Sequence, residues 1–230
     1  MLSFIVLALL AHASQLQCQN LLHHKLNVII LAGQSNMVGR GGVINDSSTD
    51  IPTWDGVVRP QCQPNPSIFR LSANLAWVRA RKTDGVGPGM SFANAVLTKD
   101  PNFGPVGLVS CAVGGTTIKE WQKWEFLYEQ LVKRAQMAQQ SGGVYKAMLW
   151  YQGEADIVNQ EDAELYQGRL KTFFNGLCSD LHTPMLPIFQ VVLALGEGPY
   201  IEESQVRLGE MLADVYLRFL PRYLWMILIF

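Results

Sequence analysis

The sequence has few charged residues and no long run of either sign. Of its 230 residues 16% are charged, with 18 Lys and Arg against 19 Asp and Glu, which gives a formal net charge of -1. This near-neutral balance argues against phosphate-driven binding of nucleic acid as the main activity. The hydrophobic content of 49% excludes a disordered, collagen-like or coiled-coil chain. The length suits a single domain with one substantial core.

Metal-binding patterns are also missing. The sequence contains neither Cys-x-x-Cys nor His-Glu-x-x-His, so we predict no metal and no other cofactor. It has only four cysteines, Cys18, Cys62, Cys111 and Cys178. An even number in a secreted protein permits disulfides but fixes no pairing. Cys111 lies in an apolar run and is predicted to be a buried, small hydrophobic residue.

Neither end of the chain has an apolar run of the roughly 20 residues that a membrane span needs. The apolar run 2–11 ends in Ala11-His12-Ala13, a small-x-small pattern that predicts a secretory signal peptide over residues 1–13 and therefore secretion. No Lys or Arg precedes the run, and the alternative is an unusual N-terminal helix. Residues 221–230 form an apolar tail, which either docks on the domain or promotes aggregation.

Short apolar runs alternate with segments of helical periodicity. The runs are rich in Val, Ile and Leu without strict alternation, as in strands covered on both faces, and they lie at 27–32, 105–112, 146–151 and 186–194. Helices are predicted at 90–99, 121–139, 161–181 and 203–220. This order predicts an α/β fold with a parallel sheet between two layers of helices. Residues 40–89, rich in Gly, Pro, Asn and Asp, are predicted to be a long loop that serves a site.

Three polar segments follow three of the predicted strands, at 33–37, 114–116 and 152–156. Ligands of parallel α/β sheets bind beyond the carboxyl ends of the strands, so we predict one site formed by all three segments. Taken alone, Ser35 is either a nucleophile or a turn residue. Gly114 and Gly115 either present N–H groups to an oxyanion or form a tight turn. The Gln152 amide either donates to the same oxyanion or bonds a neighbouring loop.

Four motifs occur in a fixed order along the chain. They are Leu-Ala-Gly-Gln-Ser-Asn-Met at 31–37 with Gly-Arg-Gly-Gly at 39–42, Gly-Val-Gly-Pro-Gly-Met at 85–90, Gly-Gly-Thr-Thr-Ile-Lys-Glu-Trp at 114–121 and Trp-Tyr-Gln-Gly-Glu-Ala-Asp at 150–156. Together they resemble the SGNH hydrolases, above all the plant carbohydrate esterases with a sialate O-acetylesterase domain. The resemblance covers about residues 27–202 and again 204–217. It implies a three-layer, flavodoxin-like α/β/α sandwich over residues 25–220 that hydrolyses acetyl esters on carbohydrates without a metal.

The resemblance also implies a role for individual residues. Those implied to act in catalysis are Ser35, Gly114, Gln152 and Glu154, and those implied to bind substrate are Arg40, Gly115 and Asp156. Ser35 would be the nucleophile. Its own N–H, the N–H of Gly114 and the Gln152 amide would form the oxyanion hole, where charge develops in the transition state.

The base of this family is missing from the sequence. Family members carry Asp-x-x-His on a loop before the last helix, whereas this chain has no histidine after His182. Segment 196–202 is joined directly to segment 204–209, which predicts an incomplete C-terminal part, the loss of one strand and an open apolar edge. His182 precedes a predicted strand of six to nine residues, roughly 20–30 Å long, and so lies far from Ser35. A base must come within about 3 Å of the serine hydroxyl.

These observations predict a carbohydrate O-acetylesterase of the SGNH type whose activity is severely reduced, with Glu154 as a weak substitute for the base. The alternatives are a non-catalytic carbohydrate-binding pseudoenzyme, a non-functional truncated product and another SGNH activity such as lipid or thioester hydrolysis. The predicted partner is an acetylated carbohydrate, without nucleic acid and without a membrane span. The particular sugar and the oligomeric state stay open.

Overall fold

The computed structural model describes residues 25–45, 52–71, 85–192, 202–219 and 226–229. The predicted signal peptide, Cys18 and the histidines His12, His23 and His24 lie outside these residues. His182 is the one histidine that they include.

Six parallel strands form the central sheet, and two further strands form a hairpin. The strands are β1 (Leu26–Gly33), β2 (Val43–Asn45), β3 (Pro52–Trp54), β4 (Ile68–Arg70), β5 (Val106–Ser110), β6 (Gly143–Tyr151), β7 (Ile188–Val192) and β8 (Met226–Ile229). The sheet has the order β4-β5-β1-β6-β7-β8, and β2 pairs with β3 in the antiparallel hairpin. Seven of the eight residues of β1 are buried, because helices cover both faces of the sheet.

The helices lie in two layers. They are α1 (Ser35–Val38), α2 (Pro88–Lys99), α3 (Phe126–Gln140), α4 (Gln160–Asp180) and α5 (Glu202–Phe219). Helices α2 and α5 pack on the face of β1 that carries Ile29 and Leu31. Helices α3 and α4 pack on the opposite face, against Val28 and Ile30. The predicted α/β/α arrangement with a parallel sheet is therefore confirmed. In the described part of the chain, no helix has the length and apolar character needed to cross a membrane.

Two local predictions are wrong. Residues 40–89 are not only loop, because they contain the β2–β3 hairpin and strand β4, which extends the sheet beside β5. Helix α3 begins at Phe126 and not at residue 121, because Ile118–Trp121 forms a separate 3-10 turn. Trp124, which falls within the predicted helix 121–139, lies in the intervening loop with a φ of +76° and is 81% exposed.

The edge of β7 is covered. Met226–Ile229, within the apolar tail, pairs in parallel with β7, from Phe189 beside Met226 to Val192 beside Ile229. The open edge expected beside β7 is therefore occupied, and the outer edge of the sheet belongs to β8.

Three of the four cysteines lie among the described residues, in the interior of the protein. Cys62, Cys111 and Cys178 are all buried. The prediction that Cys111 is a buried apolar residue is confirmed, and burial raises the pKa of its thiol to about 12, against the opposing charge of the nearby Arg134. A thiol of this kind is not a nucleophile at neutral pH.

Candidate active site

Ser35 is placed by a close approach of β1 and β6. Gly33 ends β1 with a φ of +128°, and a Cβ atom on this residue would lie 2.2 Å from the carbonyl oxygen of Tyr151. Only glycine allows the two strand ends to lie so close. The N–H of Gln34 donates to the same Tyr151 oxygen at 2.9 Å. Ser35 follows as the half-buried first residue of α1, whose N–H has no acceptor within the helix.

The loop after β5 brings Gly114 against Ser35. A Cβ atom on Gly114 would lie 3.4 Å from the Cβ of Ser35 and 3.1 Å from Nη2 of Arg40. The loop is anchored by the N–H of Val113, which donates to the carbonyl oxygen of Gly33 at 2.9 Å. Gly115 is exposed with a φ of +73°. The structure thus brings together Ser35, Gly114 and Arg40 from two distant segments of the chain.

The Gln152 side chain is buried and points into the protein. Its Nε2 donates to the carbonyl oxygen of Thr116 at 2.8 Å and to Oδ2 of Asp156 at 2.5 Å. Both N–H bonds of the amide therefore have protein acceptors. An oxyanion role for this amide requires that one of the two bonds be exchanged for a bond to the substrate oxygen.

Asp156 lies beneath the pocket surface. It is 1% exposed, and both of its carboxylate oxygens lie 3.0 Å from the N–H donor of Ile118. Burial raises the pKa of the Asp156 carboxyl, while the hydrogen bonds from Gln152 and Ile118 oppose this shift. Asp156, which the resemblance implies to bind substrate, holds Gln152 and the start of the 3-10 turn in place.

Glu154 is tied to the residue next to Ser35. Asn36 is buried, and its Nδ2 donates to Oε1 of Glu154 at 2.5 Å. Glu154 itself is half-buried. This contact joins the end of β6 to α1.

Three further residues support the site, and the sequence assigned no individual role to any of them. The indole N–H of Trp121 donates to Oγ1 of Thr116 at 3.1 Å, and this hydroxyl donates to the Val113 carbonyl oxygen at 2.9 Å. The Tyr166 hydroxyl donates to the backbone oxygen of Gln152 at 2.8 Å. Thr116 and Trp121 belong to the motif at 114–121, so the sequence marked the segment in which they lie. Tyr166 lies in α4, where no local pattern marks it.

His182 is far from Ser35, as predicted. It lies in the exposed turn that precedes β7, with a φ of +51°. Ile188, the first residue of β7, pairs with Met148, three residues before Tyr151. At about 3.3 Å per residue, the start of β7 therefore lies about 10 Å from the edge of the sheet at which β6 ends. It is also two strands away from β1, at about 4.8 Å per strand. His182 stands six residues earlier still and cannot act on Ser35.

The fold and these motifs are those of a family of carbohydrate esterases. Residues 25–207 match the family described as carbohydrate esterase, sialic acid-specific acetylesterase, and the chain belongs to this family. A probable carbohydrate esterase of Arabidopsis thaliana is 45% identical over 199 residues, which cover 82% of this chain and 76% of the relative. The X-ray structure of an Arabidopsis thaliana protein has a TM-score of 0.78 and 38% identity, covering 87% of this chain and 100% of that chain.

Proposed function

We propose that the chain is a carbohydrate O-acetylesterase of the serine type, with Ser35 as its nucleophile. The observation that carries this proposal is the contact of Gly114 with Ser35 and Arg40 at the carboxyl edge of the sheet. Membership of the carbohydrate esterase family supports a sugar ester as the substrate. The description of the family as an acetylesterase supports acetyl as the acyl group that is removed.

The reaction needs a nucleophile, an oxyanion hole and a base. Oγ of Ser35 would attack the acetyl carbonyl carbon, and the N–H groups of Ser35 and Gly114 would stabilise the oxyanion that forms. Collapse of this intermediate would release the sugar hydroxyl, and water would then hydrolyse the acetyl-serine to acetate. The base must take the Ser35 proton in the first step and return it to the sugar oxygen.

Loss of the base supports a much reduced rate. The sequence holds no histidine after His182, and His182 stands at the wrong end of β7. A serine hydrolase that lacks one triad member keeps a residual acceleration of about 10³–10⁴ over water. Glu154, held by Asn36 beside Ser35, is the carboxylate best placed to replace the base. A carboxylate accepts a proton less readily than imidazole at neutral pH.

A second candidate is a carbohydrate-binding pseudoenzyme. It is favoured by the retention of the pocket loops in a chain without the family base. In this case sugar binding would survive the substitution Ser35→Ala.

We further propose that the protein is secreted, which is supported by the signal-peptide pattern that ends at Ala13. N-terminal sequencing of the secreted protein is expected to begin at Ser14. A mature protein that retains residues 1–13 would contradict this proposal.

Acetate release from an acetylated sugar by the purified chain tests the proposal. Ser35→Ala is the test variant, and Ser179→Ala, an exposed serine near the end of α4, is the matched control. We expect Ser35-dependent release far below the typical turnover of about 10 per second, and no effect of Ser179→Ala. Release within tenfold of that typical value would contradict the lost-base argument. A folded protein that binds sugar but releases no Ser35-dependent acetate would instead be a pseudoenzyme.

Insertion of an Asp-x-x-His loop before α5 is the complementary experiment. The inserted histidine is expected to raise acetate release and to leave sugar binding unchanged. A folded insertion variant with no gain in release would show that the base is not what limits this chain.

A further inference from the structure

A cavity of about 270 Å³ lies beside the loop that carries Gly114. Its lining includes Val113 and Thr116 of this loop and Phe126 and Leu127 at the start of α3. The volume is close to the lower end of the range of about 300–1,000 Å³ for ligand pockets, and it suits one sugar ring more than a chain.

The cavity and the Ser35 pocket share a wall. Gly114 packs against Ser35, whereas its neighbour Val113 and the nearby Thr116 line the cavity. Thr116 also accepts the hydrogen bond from Gln152. A ligand at Ser35 and a ligand in the cavity would therefore lie on the two sides of a single loop of four residues, 113–116.

Two polar side chains of the cavity have unused hydrogen-bonding atoms. Gln130 and Arg134 lie one turn apart on α3, and both line the cavity. Within the described residues, Oε1 of Gln130 and Nε of Arg134 are buried without a hydrogen-bond partner. Nη1 of Arg134 donates to the Ser110 carbonyl oxygen at 2.6 Å, which fixes the guanidinium. A buried, unpaired polar atom is costly, and a rotation of either side chain toward the cavity would let a bound ligand supply the missing donor or acceptor.

The charges of the lining favour a neutral, hydroxyl-bearing ligand. Glu120 and Glu125 also line the cavity, so two carboxylates face one guanidinium. The Glu120 carboxylate is fixed by the Thr117 N–H at 2.8 Å. This excess of negative charge opposes an acidic sugar, while hydroxyl groups can both donate to the carboxylates and Gln130 and accept from Arg134. Phe126, 53% exposed, adds an apolar face for the C–H side of a sugar ring.

We propose that this cavity, the Gln130–Arg134 cavity, is a subsite for one neutral sugar unit of a carbohydrate whose acetylated unit lies at Ser35. The inference rests on the proposed function, because only a carbohydrate ligand at Ser35 gives the cavity its neighbouring unit. The subsite makes neutral oligosaccharides better ligands than acetylated monosaccharides or acidic oligosaccharides.

Calorimetric binding to the full chain in its Ser35→Ala form tests the subsite without turnover. The probes are acetylated glucose, a partially acetylated oligosaccharide of four glucose units and an acetylated oligogalacturonide of the same length. The test variant is Gln130→Leu, and the matched control is Gln139→Leu, the same change at an exposed position of α3. Melting curves confirm that each variant folds, and Gln130→Ala replaces Gln130→Leu if the latter melts early.

We expect the neutral tetrasaccharide to bind at least tenfold more tightly than acetylated glucose or the oligogalacturonide. Gln130→Leu should remove most of this tenfold advantage and leave the affinity for acetylated glucose unchanged, whereas Gln139→Leu should change neither affinity. Any one of four results would overturn the subsite. These are equal affinity for acetylated glucose and the tetrasaccharide, tighter binding of the oligogalacturonide, no effect of Gln130→Leu, and no binding of any probe.

The proposed function has a separate readout, which is acetate release. Ser35-dependent release without a preference for the tetrasaccharide keeps the esterase and rejects the subsite. Tetrasaccharide binding that depends on Gln130, without any Ser35-dependent release, keeps the subsite and rejects the hydrolase in favour of the pseudoenzyme.

Discussion

At the scale of single residues, the pocket depends on a glycine, Gly33, at the end of β1. We predict that Gly33→Ala destabilises the protein by at least about 2 kcal/mol, because its Cβ would overlap the Tyr151 backbone at a positive φ. A loss of 1 kcal/mol lowers the melting temperature by roughly 2–4 °C in a chain of this size.

The control for this prediction is Gly168→Ala. Gly168 lies in α4 with no neighbour near its Cβ position, so alanine should stabilise the helix by about 0.5–1 kcal/mol. Thermal melts of both variants give the comparison. If both change the melting temperature by the same amount in the same direction, the close approach of β1 and β6 is not what requires Gly33.

A second prediction concerns Asp156 and the dependence of the free energy of unfolding on pH. Burial raises its pKa in the folded protein, so the folded state binds a proton at Asp156 more readily than the unfolded state does. The contribution of Asp156 to the free energy of unfolding is therefore largest below the unfolded pKa of about 3.9, and it falls as pH rises through the higher folded value. The Asp156→Asn variant has no carboxyl group at this position, so its stability lacks this dependence on pH.

The stability of the wild type relative to Asp156→Asn is thus expected to fall between pH 3 and pH 7. Urea unfolding at several pH values measures this difference, with the exposed Glu164→Gln variant as a reference. A difference that stays constant or rises over this range would show that the hydrogen bonds from Gln152 and Ile118 outweigh the burial of the carboxylate.

The sequence predicted which residues share the site better than it predicted where they point. Ser35, Gly114 and Gln152 each follow a strand, and the carboxyl ends of parallel strands share one edge, so their proximity follows from the order of the elements. The inward direction of Gln152 and the burial of Asp156 depend on acceptors and donors in the 116–118 turn. No local pattern around residue 152 reveals those partners.

At the scale of elements, the start of α3 is tied to the end of α4. The Tyr128 hydroxyl donates to Oδ2 of Asp180 at 2.6 Å, and Nζ of Lys123 lies 2.9 Å from Oδ1. These bonds lower the pKa of the Asp180 carboxyl. Their contribution to stability is therefore present above the unfolded pKa and is lost as pH falls through the lower folded value.

We predict that Tyr128→Phe costs about 1 kcal/mol at pH 7 and less near pH 3. This cost lies below the range of about 1.5–3 kcal/mol for a hydrogen bond to a charged group, because the Asp180 side chain is 27% exposed and water competes for it. The matched control is Tyr145→Phe, since the buried Tyr145 hydroxyl has no partner among the described residues and its removal should cost nothing. Chemical denaturation of both variants tests the pair; equal losses would assign the effect to packing and not to the bond with Asp180.

Element length decided which elements could be predicted. The four apolar runs correspond to β1, β5, β6 and β7, because buried strands of five to nine residues stand out in composition. Strands β2, β3 and β4 have three residues each, which is too short for any periodicity. Trp124 continued the helical spacing of α3, although the chain there turns through a positive φ that spacing alone does not show.

At the scale of the whole molecule, β8 protects the edge of the sheet. We predict that deletion of residues 221–230 exposes the ladder of β7 and causes association, because unpaired edge strands pair with other chains. Light scattering during size-exclusion chromatography measures this change. Ile227→Pro removes one N–H of the β8 strand and should show a weaker form of the same effect, whereas Ile227→Val should not. A deletion variant that has the same molar mass by light scattering and the same stability as the full chain would contradict the role of β8.

The order of the strands has a consequence for synthesis of the protein. Ser35, Gly114 and Gln152 follow β1, β5 and β6, three adjacent strands at the centre of the sheet. All three loops have left the ribosome once residue 156 has emerged, before β7, α5 and β8 exist. The three loops can thus meet on a nascent chain, and the last third follows, including the contact of Tyr166 with Gln152 and the α5 layer on one face of the sheet. We therefore expect natural variants of that last third to differ in turnover and solubility far more than in the sugars that they recognise.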